Sequence, residues 1–274
     1  DTRPIDVAFI GSSLTMCGIH DSLLTEVVSD SLGRRKQIAN LGTCFFGRDM
    51  HLMMVRRLLK HRKPSHVIVE VRTQENKGLN KSFYKLAQGS EYYSGEIVHS
   101  LTNPEVQKQT WKGARIQLRR FLADQFAIDS QRQAYDTVGY VHRFRGKQTM
   151  TPTQIPAKKA YQKVPTDLIK GTEFQLNQAT GRHYLEEIRD LLHNNGVQFI
   201  LLYYPTYPDH PDQQPMLLPY YESIADEVWL PPKEIFEPAD HFMDPQHLNG
   251  IGGWALSQWL VNPLRHSLST QYED

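Results

Sequence analysis

The chain is poor in cysteine, in net charge and in long apolar runs. Two cysteines, Cys17 and Cys44, stand in 274 residues, and neither forms a zinc motif. A scaffold stapled by several disulfides is excluded, and so is a cysteine-rich metal centre. The formal net charge is +1, so no global field draws the chain to nucleic acid or to an anionic membrane surface. No apolar stretch approaches the length of a bilayer span. The sequence has no Met at its start and no signal-like apolar segment behind Asp1. It reads as a mature or trimmed chain, with membrane anchoring expected only through a segment absent from it. No grouping of its histidines has metal-ligand spacing, so no metal and no cofactor is expected. His51, His61, His66 and His193 read as structural or solvated.

What the sequence does have is an alternation of short apolar runs with amphipathic ones. Residues 5–10 (IDVAFI) read as a buried strand, residues 37–41 as a second and residues 67–71 (VIVEV) as a third. Between them, residues 21–32 carry Leu23, Leu24, Val27, Val28 and Leu32 at helical spacing, and residues 50–61 form an amphipathic helix that stops before Pro64. After a break the pattern resumes with a helix over 181–194, a strand over 197–203, a short helix including 220–224, a strand over 227–230 and a closing helix over 251–264. Strand–helix alternation predicts a parallel sheet covered on both faces. The fold class read here is α/β, a three-layer α/β/α sandwich with a five-stranded, mainly parallel sheet, formed by one domain spanning 1–274. The break, about 78–170, reads as a helical insertion with the place of a lid or side wall. Within it 107–126 looks helical, and Lys108, Lys112, Arg115, Arg119 and Arg120 read as a solvated basic face. Residues 149–165 read as an exposed loop.

The stretch VAFIGSSLTMCG ends a strand in Gly11-Ser12-Ser13. A strand-to-helix turn can hold a serine hydroxyl clear of the sheet, at the edge where ligands bind in open α/β sheets. Serine is equally a favoured helix N-cap. A hydroxyl needs a base to become a nucleophile, normally a histidine oriented by a carboxylate. The C-terminal stretch HFMDPQHLNGIGG supplies both. Asp244 and His247 are three apart, which in one helical turn sets both side chains on one side. Asp240 and His241 lie upstream but are adjacent and lack that spacing.

These two blocks, at opposite ends of a chain with this strand pattern, make the sequence similar to the SGNH (GDSL-type) hydrolases. That family carries Gly-Asp-Ser-hydrophobic after the first strand and Asp-x-x-His before the last helix. Phe9-Ile10-Gly11-Ser12-Ser13-Leu14-Thr15 matches the first block with Ser12 at the Asp position, and Asp244 and His247 match the last. The resemblance implies Ser13 as nucleophile, His247 as base and Asp244 as its orienting acid. It also implies an oxyanion hole built from the backbone N–H of Ser13, a backbone N–H from the second block and a side-chain amide from the third. Here Gly42 and Gly47 both suit the second block, and Gln74 and Asn76 both suit the third. The departures from the family pattern resemble a divergent branch, such as the bacterial proteins that move acyl groups on cell-surface polymers.

The resemblance therefore implies an O-acetylesterase or O-acetyltransferase acting on an acylated carbohydrate, in an extracytoplasmic setting and alongside polysaccharide-modification machinery. Water as acceptor makes an esterase and a sugar hydroxyl makes a transferase; the same triad serves both. Tyr204 and Tyr207, with Tyr203, follow the fourth strand and suit an aromatic sugar-binding rim, or core packing in the case of Tyr203. Arg48 and Arg72 either bind an anionic substrate group or pair with Asp49 and Glu75. Cys17 and Cys44 fall near one sheet edge, as a disulfide or as two thiols. The reading from another class is a catalytically weak glycan-binding or scaffold subunit that keeps the fold, and a lipid esterase is a third.

Overall fold

A computed structural model describes residues 4–75, 80, 83–87, 111, 113–116, 118, 148–157, 172–209 and 214–270. Five strands form one sheet: β1 (Val7–Ile10), β2 (Ile38–Asn40), β3 (His66–Val71), β4 (Gln198–Tyr203) and β5 (Glu227–Trp229). Their order is β2-β1-β3-β4-β5, and every pairing is parallel. Among the described residues the bounded α-helices are α1 (Ser13–Gly18), α2 (Asp21–Leu32), α3 (Arg48–His61), α4 (Phe83–Leu86), α5 (Thr172–His193), α6 (Leu218–Ile224) and α7 (Gly250–Thr270).

The period of two along each strand splits the core into two layers. Val7, Phe9, Ile68, Ile200 and Leu202 face α1, α2 and α7 through Leu14, Leu24, Val28, Leu256 and Leu260. Ala8, Ile10, Val67, Val69, Phe199 and Leu201 face α3, α5 and α6 through Leu52, Val55, Leu185, Ile188 and Tyr221. A sheet buried on both faces explains why its strands read as continuous apolar runs rather than alternating ones. All six residues of β3 are buried, including Glu70. The strand period sets Glu70 on the Ile68 face, toward α1.

Two helices run longer than their apolar patterns suggest. Helix α5 starts at Thr172, and Gly181, read as its beginning, lies inside it. A Cβ at Gly181 would come within 2.7 Å of Glu75 Cβ, so this glycine permits close packing and does not mark a boundary. Helix α7 passes through Pro263 to Thr270, because Leu264 and Leu268 remain buried in the core.

Most of the expected insertion lies outside the described residues, as does part of its expected helix; positions 111, 113–116 and 118 are helical. In the loop read over 149–165, Pro152–Gln154 form an exposed 3-10 turn closed by Thr151 and Gln154. Met150, by contrast, is buried, and its N–H donates to the Phe242 carbonyl at 3.1 Å. Among the described residues no helix is long and apolar enough to cross a membrane.

Candidate active site

Because the sheet is parallel, the C-terminal ends of its strands share one edge, and the loops after β1, β2 and β3 meet there. Gly11 follows β1, and Ser12 caps α1 through Oγ, which accepts from Leu14 N–H. Ser13 opens the helix. Asn40, the last residue of β2, holds the other end of α1: its Nδ2 donates to the carbonyls of Thr15 and Ile19 at 3.0 and 2.8 Å.

Ser13 Oγ lies 2.8 Å from His247 Nε2. His247 Nδ1 lies 2.9 and 2.8 Å from the two Asp244 oxygens. A carboxylate only accepts, so Nδ1 carries the proton, Nε2 offers its lone pair and the Ser13 hydroxyl donates to it. The Asp-x-x-His spacing works through a turn and not through the helical turn expected from sequence. Asp244 Oδ1 accepts the backbone N–H groups of Gln246 and His247, and an antiparallel bridge between Phe242 and Leu248 closes the turn. Asn249 then caps α7, its Oδ1 accepting from Ile251 and Gly252 while Nδ2 donates to the carbonyls of Asp240 and Gln148. Partial burial pushes the Asp244 carboxyl up. Hydrogen bonds from the His247 ring and from the backbone of Gln246 and His247 outweigh that, and hold it below the usual carboxylate range.

Beneath the serine turn lies a group that the sequence reading did not single out. The Glu70 carboxylate accepts from Ser12 N–H at 2.8 Å, Ser12 Oγ at 2.8 and 3.0 Å, Thr15 N–H at 3.3 Å, Thr15 Oγ1 at 2.8 Å and Arg72 Nε at 3.1 Å. Its burial alone would raise its pKa. The Arg72 guanidinium and the donors around it reverse this and keep it low. Ser12 stands where the resembled family has an acid, and here an acid reaches the same spot from β3. The only hint in the sequence is one charged residue inside an apolar strand, VIVEV.

The two arginines divide differently than expected. Arg48 pairs with Glu75 through two bonds, Nε to Oε2 at 2.6 Å and Nη2 to Oε1 at 2.7 Å, both side chains being fully buried. Arg48 Nη1 also donates to the Glu70 carbonyl at 2.7 Å, and Tyr221 OH donates to Glu75 at 2.8 Å. Arg72 pairs with Glu70 rather than with Asp49 or Glu75, and its Nη2 donates to Ser12 Oγ at 2.9 Å. The Phe46 ring lies against both cations, with guanidinium carbons 4.7 and 4.4 Å from its centre. Asp49 accepts the Asn80 N–H instead, at 2.9 and 3.1 Å.

The remaining candidates scatter. Gly42 N–H donates to Asn40 Oδ1 at 2.9 Å, so it is already engaged. Gly47 N-caps α3, and its N–H has no acceptor among the described residues; the same holds for Ser13 N–H. Gln74 is exposed and makes no hydrogen bond among the described residues, while Asn76 lies outside them. Tyr204 and Tyr207 do not form a rim: they are 2% and 8% exposed and pack into the core, Tyr204 against Phe236 and Tyr207 against Phe242. The chain turns inward after β4, as Tyr207 N–H bonds the Pro245 carbonyl at 3.0 Å. Cys17 is buried and Cys44 exposed, and they form no disulfide.

No protein-family model matches the chain, and no curated protein matches it. Among solved structures it is similar to a protein of Bacteroides fragilis described as a "putative acylhydrolase", at 11% identity and a TM-score of 0.40, over 97% of this chain and 92% of that one.

Proposed function

We propose that the protein is a serine-dependent acyl-ester enzyme of SGNH type. The observation that carries this is the continuous row from Ser13 Oγ through His247 to Asp244, at 2.8 Å and 2.8–2.9 Å, at the ligand-binding edge of a parallel sheet. In the reaction Ser13 Oγ forms a bond to the ester carbonyl carbon while its proton passes to His247 Nε2. The tetrahedral intermediate collapses, the bond to the alcohol oxygen breaks, and His247 returns the proton to that oxygen. An acyl-Ser13 remains. Water or a second alcohol then attacks, losing its proton to His247, and Ser13 leaves with that proton restored. Asp244 holds the ring in the needed tautomer and balances the imidazolium that forms.

The substrate proposed is an acylated carbohydrate in an extracytoplasmic setting, within a polysaccharide-modification system, with 78–170 as a lid or side wall. The resemblance of the two terminal blocks supports this; the tyrosines after β4 do not. The second reading, a weakly catalytic binding subunit, is favoured by one observation. Of the alternative oxyanion donors, Gly42 N–H serves Asn40 and the Gln74 side chain faces solvent.

Acetyl release from 4-nitrophenyl acetate, compared between wild type and Ser13→Ala, tests the choice. The expected outcome is a loss of at least about 10³-fold in the variant, with a fluorophosphonate labelling wild type but not the variant. Adding sugar oligomers as acceptors separates transfer from hydrolysis. Equal rates, or no turnover and no labelling, would support the binding subunit.

A further inference from the structure

We propose that Arg72 donates to the oxyanion, in the place where a neutral side-chain amide was expected. This rests on the acyl-transfer reading above. The donor inventory motivates it. Ser13 N–H and Gly47 N–H have no acceptor among the described residues, Gly42 N–H is engaged, and the Gln74 side chain faces solvent. Arg72 stands at the end of β3, the same sheet edge as the serine turn. Its Nη2 is 2.9 Å from the hydroxyl of Ser12, the residue bonded to Ser13. Covalent geometry then keeps Arg72 Nη2 within about 7 Å of the Ser13 nitrogen, and two such donors converge on one oxygen once they lie within about 6 Å, twice a hydrogen-bond length.

The group is also fixed in advance. Nε is bound by Glu70, Nη2 by Ser12 Oγ, and the face of the guanidinium rests on Phe46 at 4.4 Å. Those contacts use the inner edge of the fork. The side chain keeps 31% of its surface exposed, whereas Arg48, which lies against the same Phe46 ring, keeps 1%. Arg48 has every guanidinium nitrogen engaged, by Glu75, the Glu70 carbonyl and His51. Arg72 retains Nη1, with no partner among the described residues. A cation locked by a buried carboxylate, with donors left over beside a nucleophile, is preorganised for a charge that appears only when the carbonyl is attacked. Glu70 thus has two tasks, holding the Ser12 and Thr15 amides and aiming Arg72.

Turnover of 4-nitrophenyl acetate by Arg72→Ala, Arg72→Lys and Gln74→Ala tests the assignment. In Arg72→Ala kcat should fall about 10²–10³-fold, with KM within about threefold of wild type, as for an interaction made only in the transition state. A boronic-acid analogue of the tetrahedral intermediate should lose affinity in parallel. Millimolar guanidinium ion should restore part of the rate in Arg72→Ala and none in wild type, a response that a merely structural role would not give. If Arg72→Ala does not fold, Arg72→Lys retains the charge toward Glu70 without the fork and should still lose about tenfold or more in kcat. An unchanged kcat in a folded Arg72 variant, or a large loss in Gln74→Ala instead, overturns the proposal while leaving the serine mechanism standing. A wild-type protein with no turnover and no Ser13 labelling overturns both.

Discussion

The two ends of the chain and its middle meet at one site, yet they are built by different physics. The ends supply Ser13, Asp244 and His247, which are half-exposed or near the surface and held by local turns: a cap on α1, an Asx-type turn and a two-residue bridge. The middle supplies Arg48, Asp49, Glu70 and Glu75, which are buried and held mainly by contacts between residues 22 to 146 positions apart. A local turn is written in consecutive residue types. A long-range ion pair is written only in the packing.

This difference accounts for what could be read in advance. Strands, their parallel arrangement and the Asp-x-x-His spacing depend on periodicity and neighbours, and their boundaries fall within a few residues of the structure. The Asp-x-x-His pair comes together through a turn instead of a helix, because Pro245 and the Phe242–Leu248 bridge favour one. The loops after β2 and β3 were legible in composition but not in partnership. The sequence offers Asp49 and Glu75 as partners for Arg48 and Arg72, but Arg72 pairs with Glu70, and a single charge inside VIVEV does not say which donors it meets. Tyr204 and Tyr207, with an apolar face and a hydroxyl each, suit a sugar-binding rim by residue type, whereas the chain folds back over them and leaves 2% and 8% exposed. Gly181 begins the apolar helical pattern yet lies inside α5, where the close approach of Glu75 leaves no room for a Cβ.

The contrast can be sharpened most strongly at the C-terminal end. Asp244→Asn keeps the shape of the turn but presents an amide that no longer fixes the imidazole tautomer. A comparable change in a serine protease lowers turnover about 10⁴-fold. Asp244 is 43% exposed in its side chain, so water replaces part of the lost orientation, and a fall of about 10²–10⁴-fold in kcat with little change in thermal midpoint is expected. A large loss of stability together with a small loss of rate would mean that the turn, like the middle, is held by long-range packing.

A change in the middle should do the opposite. Ser12→Asp sets a second carboxylate where Ser12 Oγ now lies, 2.8 and 3.0 Å from the Glu70 oxygens. Two buried carboxylates at that distance cannot both ionise. A destabilisation on the order of 3–5 kcal/mol is expected, as for an uncompensated buried charge, measured by chemical denaturation. Ser12→Asp with Glu70→Gln should recover a good part of it in a double-mutant cycle. Wild-type stability in the single variant would show that the serine turn has room for both acids, and that the acid from β3 does not stand in for the one at position 12.

The smallest effect separates the two regions by pH. Burial raises the Asp49 carboxyl from its ordinary value to about 7, only partly offset by backbone N–H groups that include Asn80. In the unfolded chain the same group ionises near pH 4. Between about pH 4 and 7 the native state therefore keeps a proton that the unfolded state has released. Stability from this group is fully present below pH 4, declines as pH rises through that window and levels off above about 7. Asp49→Asn has no such proton, so the thermal midpoint of wild type relative to the variant should fall by several degrees from pH 4.5 to pH 8. Asp244 sits below the usual carboxylate range and stays ionised throughout that interval, so Asp244→Asn should leave the wild-type slope intact. A slope that vanishes in Asp244→Asn and persists in Asp49→Asn would reverse the assignment, making the exposed turn and not the buried middle the pH-sensitive part of the site.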